Sequence, residues 1–184
     1  MIIIKNEMKI TYPRTKYLYL NNYISLNIGK IINEFLEGGK VVAEPFFDYY
    51  LIINYDEFNY KNYLSYVFYV SIYTGGAHPD NRIFTINYDK LKNRIIKIDD
   101  IVNNKALLDI SRESRRQLLS DKNISHDQNS LEMLASGTAP NSENFKNFVF
   151  TDKGIVIYFE QYQVAPYAAG SFSVLIPYNL LSIK

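Results

Sequence analysis

The chain of 184 residues contains no cysteine. That excludes a thiol nucleophile, a redox dithiol, a disulfide framework and a cysteine-bound zinc site. It leaves the compartment open, because exported and cytosolic proteins alike can do without thiols. Tryptophan is also absent. Histidine occurs only twice, as His78 and His126, which leaves little for His-based catalysis or metal ligation; neither H-E-x-x-H nor a calcium-loop spacing of acids occurs. No nucleophile-elbow pattern of the G-x-S-x-G kind is present. No stretch approaches the roughly 20 apolar residues that span a bilayer. The opening Met1–Lys5 is too short for the apolar core of a signal peptide, so either the protein stays inside or its export segment lies outside these residues. Charge of one sign is lacking too: 20 basic against 19 acidic residues give a net charge of +1. A nucleic-acid partner is therefore not expected. The densest basic group, Arg112, Arg115 and Arg116, is interrupted by Glu113 and reads as a solvated helix face.

What the chain has is apolar and aromatic mass. Apolar residues make up 47% of it, with 17 Tyr and 11 Phe, enough for a sizeable core in one domain or in two small modules. Tyrosine and phenylalanine favour strands, and tyrosine can stand half-buried at a surface. Met8 to Leu20 reads as an extended, edge-like start around Pro13. Ile24, Ile28, Ile31, Ile32 and Phe35 then fall at helical spacing, with Asn21 or Asn22 as N-cap and Gly38-Gly39 as the stop. Phe46–Tyr55 is strand-like, Asp56–Asn62 carries turn formers, and Tyr63–Thr74 alternates with period two, so the pair reads as an antiparallel hairpin.

Beyond Gly75-Gly76, strands are expected over Arg82–Tyr88 and Ile95–Ile98. A helix follows from about Asn104 to Ser120, and a short one ends at Gly137. Strands over Phe145–Phe150, Ile155–Tyr162 and Phe172–Ile176 come next, and Pro177 opens a last helical turn. Asp99 and Asp100 read as turn or capping residues rather than as paired catalytic carboxylates. The order predicts an α+β fold of antiparallel sheets with helices packed on one face.

Several blocks carry a resemblance when taken in order. Tyr73-Thr74-Gly75-Gly76-Ala77-His78-Pro79 is followed by Ile86-Asn87-Tyr88-Asp89 and Ile98-Asp99-Asp100-Ile101. Phe150-Thr151-Asp152-Lys153-Gly154-Ile155, Tyr158-Phe159 and Val164-Ala165-Pro166-Tyr167-Ala168-Ala169-Gly170 come next, and Val174-Leu175-Ile176-Pro177-Tyr178 closes the set. In that order and spacing the chain resembles the extracytoplasmic modules of RsiV-like anti-sigma factors: a PdaC-like module over 8–77 and an RsiV-like module, known as a domain of unknown function, over 78–184, the two sharing one compact unit. RsiV-type proteins carry a sigma-binding segment and a transmembrane helix ahead of these modules, and PdaC-type proteins add a deacetylase domain after the first. Neither addition is found in these residues, so neither an anti-sigma nor a deacetylase role transfers. The resemblance implies an extracytoplasmic, cell-envelope location and a binding or sensing role. The partner it suggests is a lysozyme-like protein or a cell-wall glycan such as peptidoglycan. No cofactor and no metal are implied.

Two segments are the candidate ligand-binding residues: Tyr73, Thr74, Gly75, Gly76 and His78 at a strand end, and Pro166, Tyr167 and Gly170 in a rigid loop. For the first, glycines allow a sharp turn, and His78 either bonds locally to backbone or a Tyr hydroxyl, or is displayed to a ligand. A binding groove, if one exists, is expected at the seam of the modules with the Pro166–Gly170 loop as its wall. The expectation is a non-catalytic domain. A small cell-wall hydrolase using His78 as acid or base, and a structural spacer, stand as the alternatives.

Overall fold

In a computed structural model of the protein, residues 6–41 and 49–181 are described. They form an α+β fold with three α-helices and mixed sheets. The elements run β1 (Asn6–Ile10), α1 (Leu18–Val41), β2 (Tyr49–Tyr60), β3 (Tyr63–Tyr73), β4 (Asp80–Asp89) and β5 (Arg94–Ile96). After these come α2 (Asn104–Leu119), α3 (Gln128–Gly137), β6 (Phe148–Phe150), β7 (Gly154–Phe159) and β8 (Phe172–Pro177). Strands β1 to β5 make one sheet in sequence order, and β6 to β8 a second, antiparallel one.

One pairing departs from the antiparallel expectation: β1 and β2 are parallel, from Asn6↔Tyr49 to Ile10↔Ile53. A parallel neighbour needs a crossover, and α1 is that crossover. The helix begins earlier than its apolar period suggests. Asn21 is not the N-cap but lies inside the first turns. Its amide reaches back to Thr15, accepting from the Thr15 N–H (2.9 Å) and hydroxyl (2.9 Å) and donating to the Thr15 carbonyl (2.8 Å). Nor do Gly38 and Gly39 stop it, since α1 runs on to Val41. Of the expected stripe Ile24, Ile28 and Phe35 are buried, joined by Leu20, whereas Ile31 and Ile32 are only half-buried.

The hairpin is tighter than the turn formers imply. β2 continues through Asp56–Tyr60, and only Lys61 and Asn62 make the turn, Lys61 at φ 50°. The strand persists because its side chains have partners. Tyr60 stacks on Tyr178 at 5.3 Å, and Phe58 packs on the cluster of Val67, Ile83 and Val149. The polar members bond across the sheet face: Tyr69 donates to Asp56 (3.2 Å) and Lys90 to Asn59 (2.8 Å). Of the Phe46–Tyr55 segment, residues 46–48 lie outside the described residues. Ile98–Asp100 is a short 3-10 turn rather than the end of a strand, because the Asp100 carboxylate caps it by accepting the Lys97 N–H (2.8 Å).

By internal contacts the chain divides into two units. The first comprises Met1–Asp56 and Phe68–Arg82, the second Glu57–Val67 and Ile83–Lys184. Residues 78–82 therefore group with the first unit and residues 57–67 with the second. β3 reflects this in its burial: Leu64 to Phe68 are buried on both faces, whereas Tyr69 to Tyr73 alternate.

In the second unit, side chains of β3 and β4 dock the backbone of β6. Asn87 donates to the Phe148 carbonyl (2.7 Å), the Thr85 hydroxyl accepts from the Phe148 N–H (3.0 Å), and Ser65 accepts from Phe150 N–H (3.2 Å). Asn147 returns a bond to the Ile83 carbonyl (3.0 Å). Tyr63 lies flat on Phe150 at 4.0 Å. β8, the sheet's other edge, is closed by α2: the Gln117 amide donates to the Leu175 carbonyl (2.7 Å) and accepts its N–H (3.2 Å). A side chain thus stands where a further strand could pair.

Candidate ligand-binding cleft

The first unit carries the candidate turn at the end of β3. Gly75 (φ 97°) and Gly76 (φ 109°) reverse the chain in the left-handed region that side chains avoid. Tyr73 secures the reversal by donating its hydroxyl to the Gly76 carbonyl (2.9 Å), and its ring stacks on Tyr50 at 5.7 Å. His78 is exposed, with Nδ1 3.1 Å from the Pro79 carbonyl. The histidine thus has a local backbone partner and a solvent-exposed ring.

Beside the turn is a cleft of about 180 Å³ lined by Glu34, Gly38, Ile72, Thr74, Gly75, His78, Asp80 and Arg82. It brings three of the chosen residues, Thr74, Gly75 and His78, together with charged residues that sequence reasoning did not select. Arg82 is the hub. Its Nη1 and Nη2 donate to the two oxygens of Glu34 (2.8 and 2.7 Å), while Nε and Nη2 donate to Asp80 Oδ2 (2.8 and 2.5 Å). Asp80 and Arg82 are two apart on β4 and so share a face, which put a local signal in the sequence. Glu34 lies 48 positions away on α1, and nothing local announces that pairing. The bonds from Arg82 hold the Glu34 carboxyl below its ordinary range, burial opposing them only in part, and Glu34 in turn raises the guanidinium.

The arrangement has a definite chemistry. Four of the five guanidinium N–H groups go to carboxylates, so the cation is spent on neighbours. Glu34 and Asp80 against Arg82 leave one net negative charge among the three. With the Thr74 hydroxyl and the His78 ring, the lining is rich in acceptors, which suits a ligand bearing hydroxyl, amide or amine donors and disfavours an anion. Gly38 keeps the helix side low, since a Cβ there would sit 3.6 Å from Thr74 Cγ2.

Pro166, Tyr167 and Gly170 belong to the second unit. Tyr167–Ala169 forms a 3-10 turn closed by Ala169 N–H to Pro166 O (2.9 Å) and Gly170 N–H to Tyr167 O (3.0 Å), with Gly170 at φ 81°. Val164 and Ala165 are buried as its anchor, and the Tyr167 ring lies 5.5 Å from that of Tyr162. The basic group on α2 is engaged with its neighbours. Arg115 binds the Thr138 hydroxyl and the Ala135 carbonyl, Arg116 binds Glu113 through two bonds, and Arg112 lies 3.7 Å from Asp109. Asp99 bonds to Ser142, and His126 is exposed. Among the described residues no cluster of three or more His, Asp or Glu could hold a metal, and no helix is long and apolar enough to cross a membrane.

The fold and cleft define an α+β domain with a polar, acceptor-lined depression at a glycine turn. The chain carries, over residues 99–179, a match to the family described as protein of unknown function DUF3298. It is similar to the peptidoglycan-N-acetylmuramic acid deacetylase PdaC of Bacillus subtilis (strain 168), at 36% identity over 134 residues. That match takes in 72% of this chain but only 27% of PdaC. Among solved structures it is similar to a DUF3298 family member from Bacteroides fragilis, with a TM-score of 0.59 and 28% identity, over 88% of this chain and 64% of that one. A DUF3298 family protein from Pseudomonas aeruginosa PAO1 shares the fold, with a TM-score of 0.59 at 17% identity, over 74% of this chain and 62% of that one.

Proposed function

We propose that the protein is a non-catalytic binding domain of the cell envelope, and that the cleft around Arg82 holds a cell-wall glycan. The observation that carries this reading is the acceptor-rich lining: Glu34, Asp80 and Thr74 meet beside the displayed His78. Glycan hydroxyl and amide N–H groups are donors for such a surface. The similarity to a relative named for acting on peptidoglycan supports the cell-wall setting, and with it an extracytoplasmic location. On this reading residues 8–77 are the PdaC-like module and 78–184 the RsiV-like one. The likeness to RsiV-type domains supports a lysozyme-like protein as the second ligand to test.

Calorimetry with soluble peptidoglycan fragments and, separately, with lysozyme tests the proposal. Fragments are expected to bind the wild type and to lose affinity in Thr74→Val and His78→Ala, whose folds remain intact by circular dichroism. Lysozyme binding alone would replace the glycan by a protein ligand. Soluble products released from peptidoglycan, lost in His78→Ala, would overturn the non-catalytic assignment in favour of a hydrolase. A chain that binds neither ligand would be a spacer.

A further inference from the structure

The net charge of +1 conceals an uneven distribution. From Met8 to Asn33 there is no acidic residue, while Lys9, Arg14, Lys16 and Lys30 are all exposed. Among the described residues none of these four has an acidic partner; Lys16 instead lies over the Tyr17 ring, 5.4 Å from its centroid. The acids of α1, Glu34 and Glu37, come only in its later turns.

The same stretch exposes apolar side chains. α1 buries Leu20, Ile24, Ile28 and Phe35 on one face. At 100° per residue, Leu18, Tyr19, Asn22, Leu26 and Gly29 fall on the opposite face. Leu18 is 74% exposed, Leu26 58% and Tyr19 49%, and a Cβ placed on Gly29 would meet nothing within 4 Å. Tyr12, in the connection leading into the helix, is half exposed as well. Isolated exposed leucines need no explanation. Two leucines and two tyrosines interleaved with Arg14, Lys16 and Lys30, which have no acidic partner among the described residues, in a stretch without an acid from Met8 to Asn33 are a different surface.

We propose that the outer face of the first half of α1, with the segment leading into it, docks on an anionic lipid bilayer. Leucines insert at the boundary of headgroups and acyl chains, tyrosine rings sit at headgroup level, and the basic side chains meet the lipid phosphates. A soluble polyanion would satisfy the cations but gives no role to Leu18 and Leu26. A protein partner buried on this face would need acidic complementarity around an apolar centre. The lipid surface accounts for both features together. This inference is independent of the cleft, whose lining lies at the other end of the helix, at Glu34 and Gly38.

Vesicle co-sedimentation tests it. The full chain is expected to pellet with phosphatidylglycerol-containing vesicles, not with pure phosphatidylcholine, and to be released by high salt. Removing Arg14, Lys16 and Lys30 together (each to Gln) is expected to weaken binding by roughly fivefold per charge. Leu18→Ser with Leu26→Ser is expected to weaken it by about tenfold per leucine. Every changed side chain is exposed, so the variants keep their fold, and circular dichroism verifies this. Unchanged vesicle binding in the leucine variant would overturn the proposal in favour of simple polyanion attraction. Equal binding to neutral vesicles, or none to anionic ones, would overturn it outright. So would a concentration-dependent dimer, lost in the leucine variant, from a chain that ignores vesicles.

Discussion

Replacing glycine by alanine inside or at the end of a helix should raise stability by up to about 1 kcal/mol if helix propensity alone decides. Two glycines of this protein separate propensity from packing. Gly29, midway along α1, has open space where a Cβ would go. Gly137, the last residue of α3, has none: a Cβ would lie 1.9 Å from the Gln163 carbonyl oxygen, 2.7 Å from its carbon and 2.9 Å from Val164 Cγ1. Ordinary contact begins near 3.4 Å, so the Gln163 backbone would have to retreat by about 1.5 Å. It is poorly placed to do so. Its N–H bonds to the Glu160 carbonyl (3.1 Å), and its side-chain amide bonds to Gly137 O (3.3 Å), Asn144 O (2.9 Å) and the Glu160 N–H (3.2 Å). The next residue, Val164, is wholly buried. Overpacking of this kind costs about 1–3 kcal/mol, which outweighs the propensity gained at a helix end. Gly137→Ala is therefore expected to lower the melting temperature by roughly 3–10 °C, and Gly29→Ala to raise it by about 2–4 °C. Thermal denaturation followed by circular dichroism reads both. Equal stabilisation by the two substitutions would refute the packing argument.

Gln117→Ala removes the bonds that close the β8 edge at Leu175 and is expected to destabilise by about 1–2 kcal/mol, read from urea denaturation at unchanged m-value. Asn87→Ala leaves the buried Phe148 carbonyl without its 2.7 Å donor and should cost about 1–3 kcal/mol in the same assay. Acid should destabilise the fold. Arg116 and Gln117 hold the Glu113 carboxyl down at about 2 against its own burial; Ser125 and Ser130 hold Asp127 at about 2, and Arg82 holds Glu34 low. Depressed carboxyls stabilise the fold fully above their unfolded values, near pH 4, and that contribution drains away as pH falls toward 2. Melting temperature should decline through this window, less steeply in Arg116→Gln; a flat profile would contradict the pairings.

How far the sequence carried this picture depends on the range of the interactions. α2 is legible because its limits, near Asn104 and Ser120, are set locally; the structure adds that Asn103 caps it by accepting the Ala106 N–H (2.9 Å). The second half of β2 is not, because Asp56 to Asn59 have turn-forming composition. What keeps them extended is cross-strand company: Phe58 on Val67 and Val149, Tyr60 on Tyr178, and Lys90 on Asn59. The parallel β1–β2 pair escapes for the same reason, since the crossover role of α1 is written in topology and not in its amphipathic period.

The cleft follows this rule more closely still. Its turn was readable, because two glycines after an alternating strand can hardly be anything else. Its charge was not. Alone, Arg82 invites the reading of an anion receptor, the usual use of an exposed guanidinium near a glycine turn. Glu34, 48 residues earlier, and Asp80 reverse that reading by occupying the donors from both sides. The chemistry of the depression is thus set by the acids around the arginine rather than by the arginine. Removing Glu34 should accordingly do more than weaken a surface ion pair, which by itself is worth little. Glu34→Gln frees guanidinium donors toward the cleft, and its preference is expected to shift from glycan hydroxyls toward small anions. Phosphate titrated against the amide spectrum reads this directly: saturable shifts at Thr74, Gly75 and His78 in the variant but not in the wild type. Phosphate binding of equal strength in both would mean that Arg82 was never neutralised, and that the acceptor-lined cleft is the wrong description of the site.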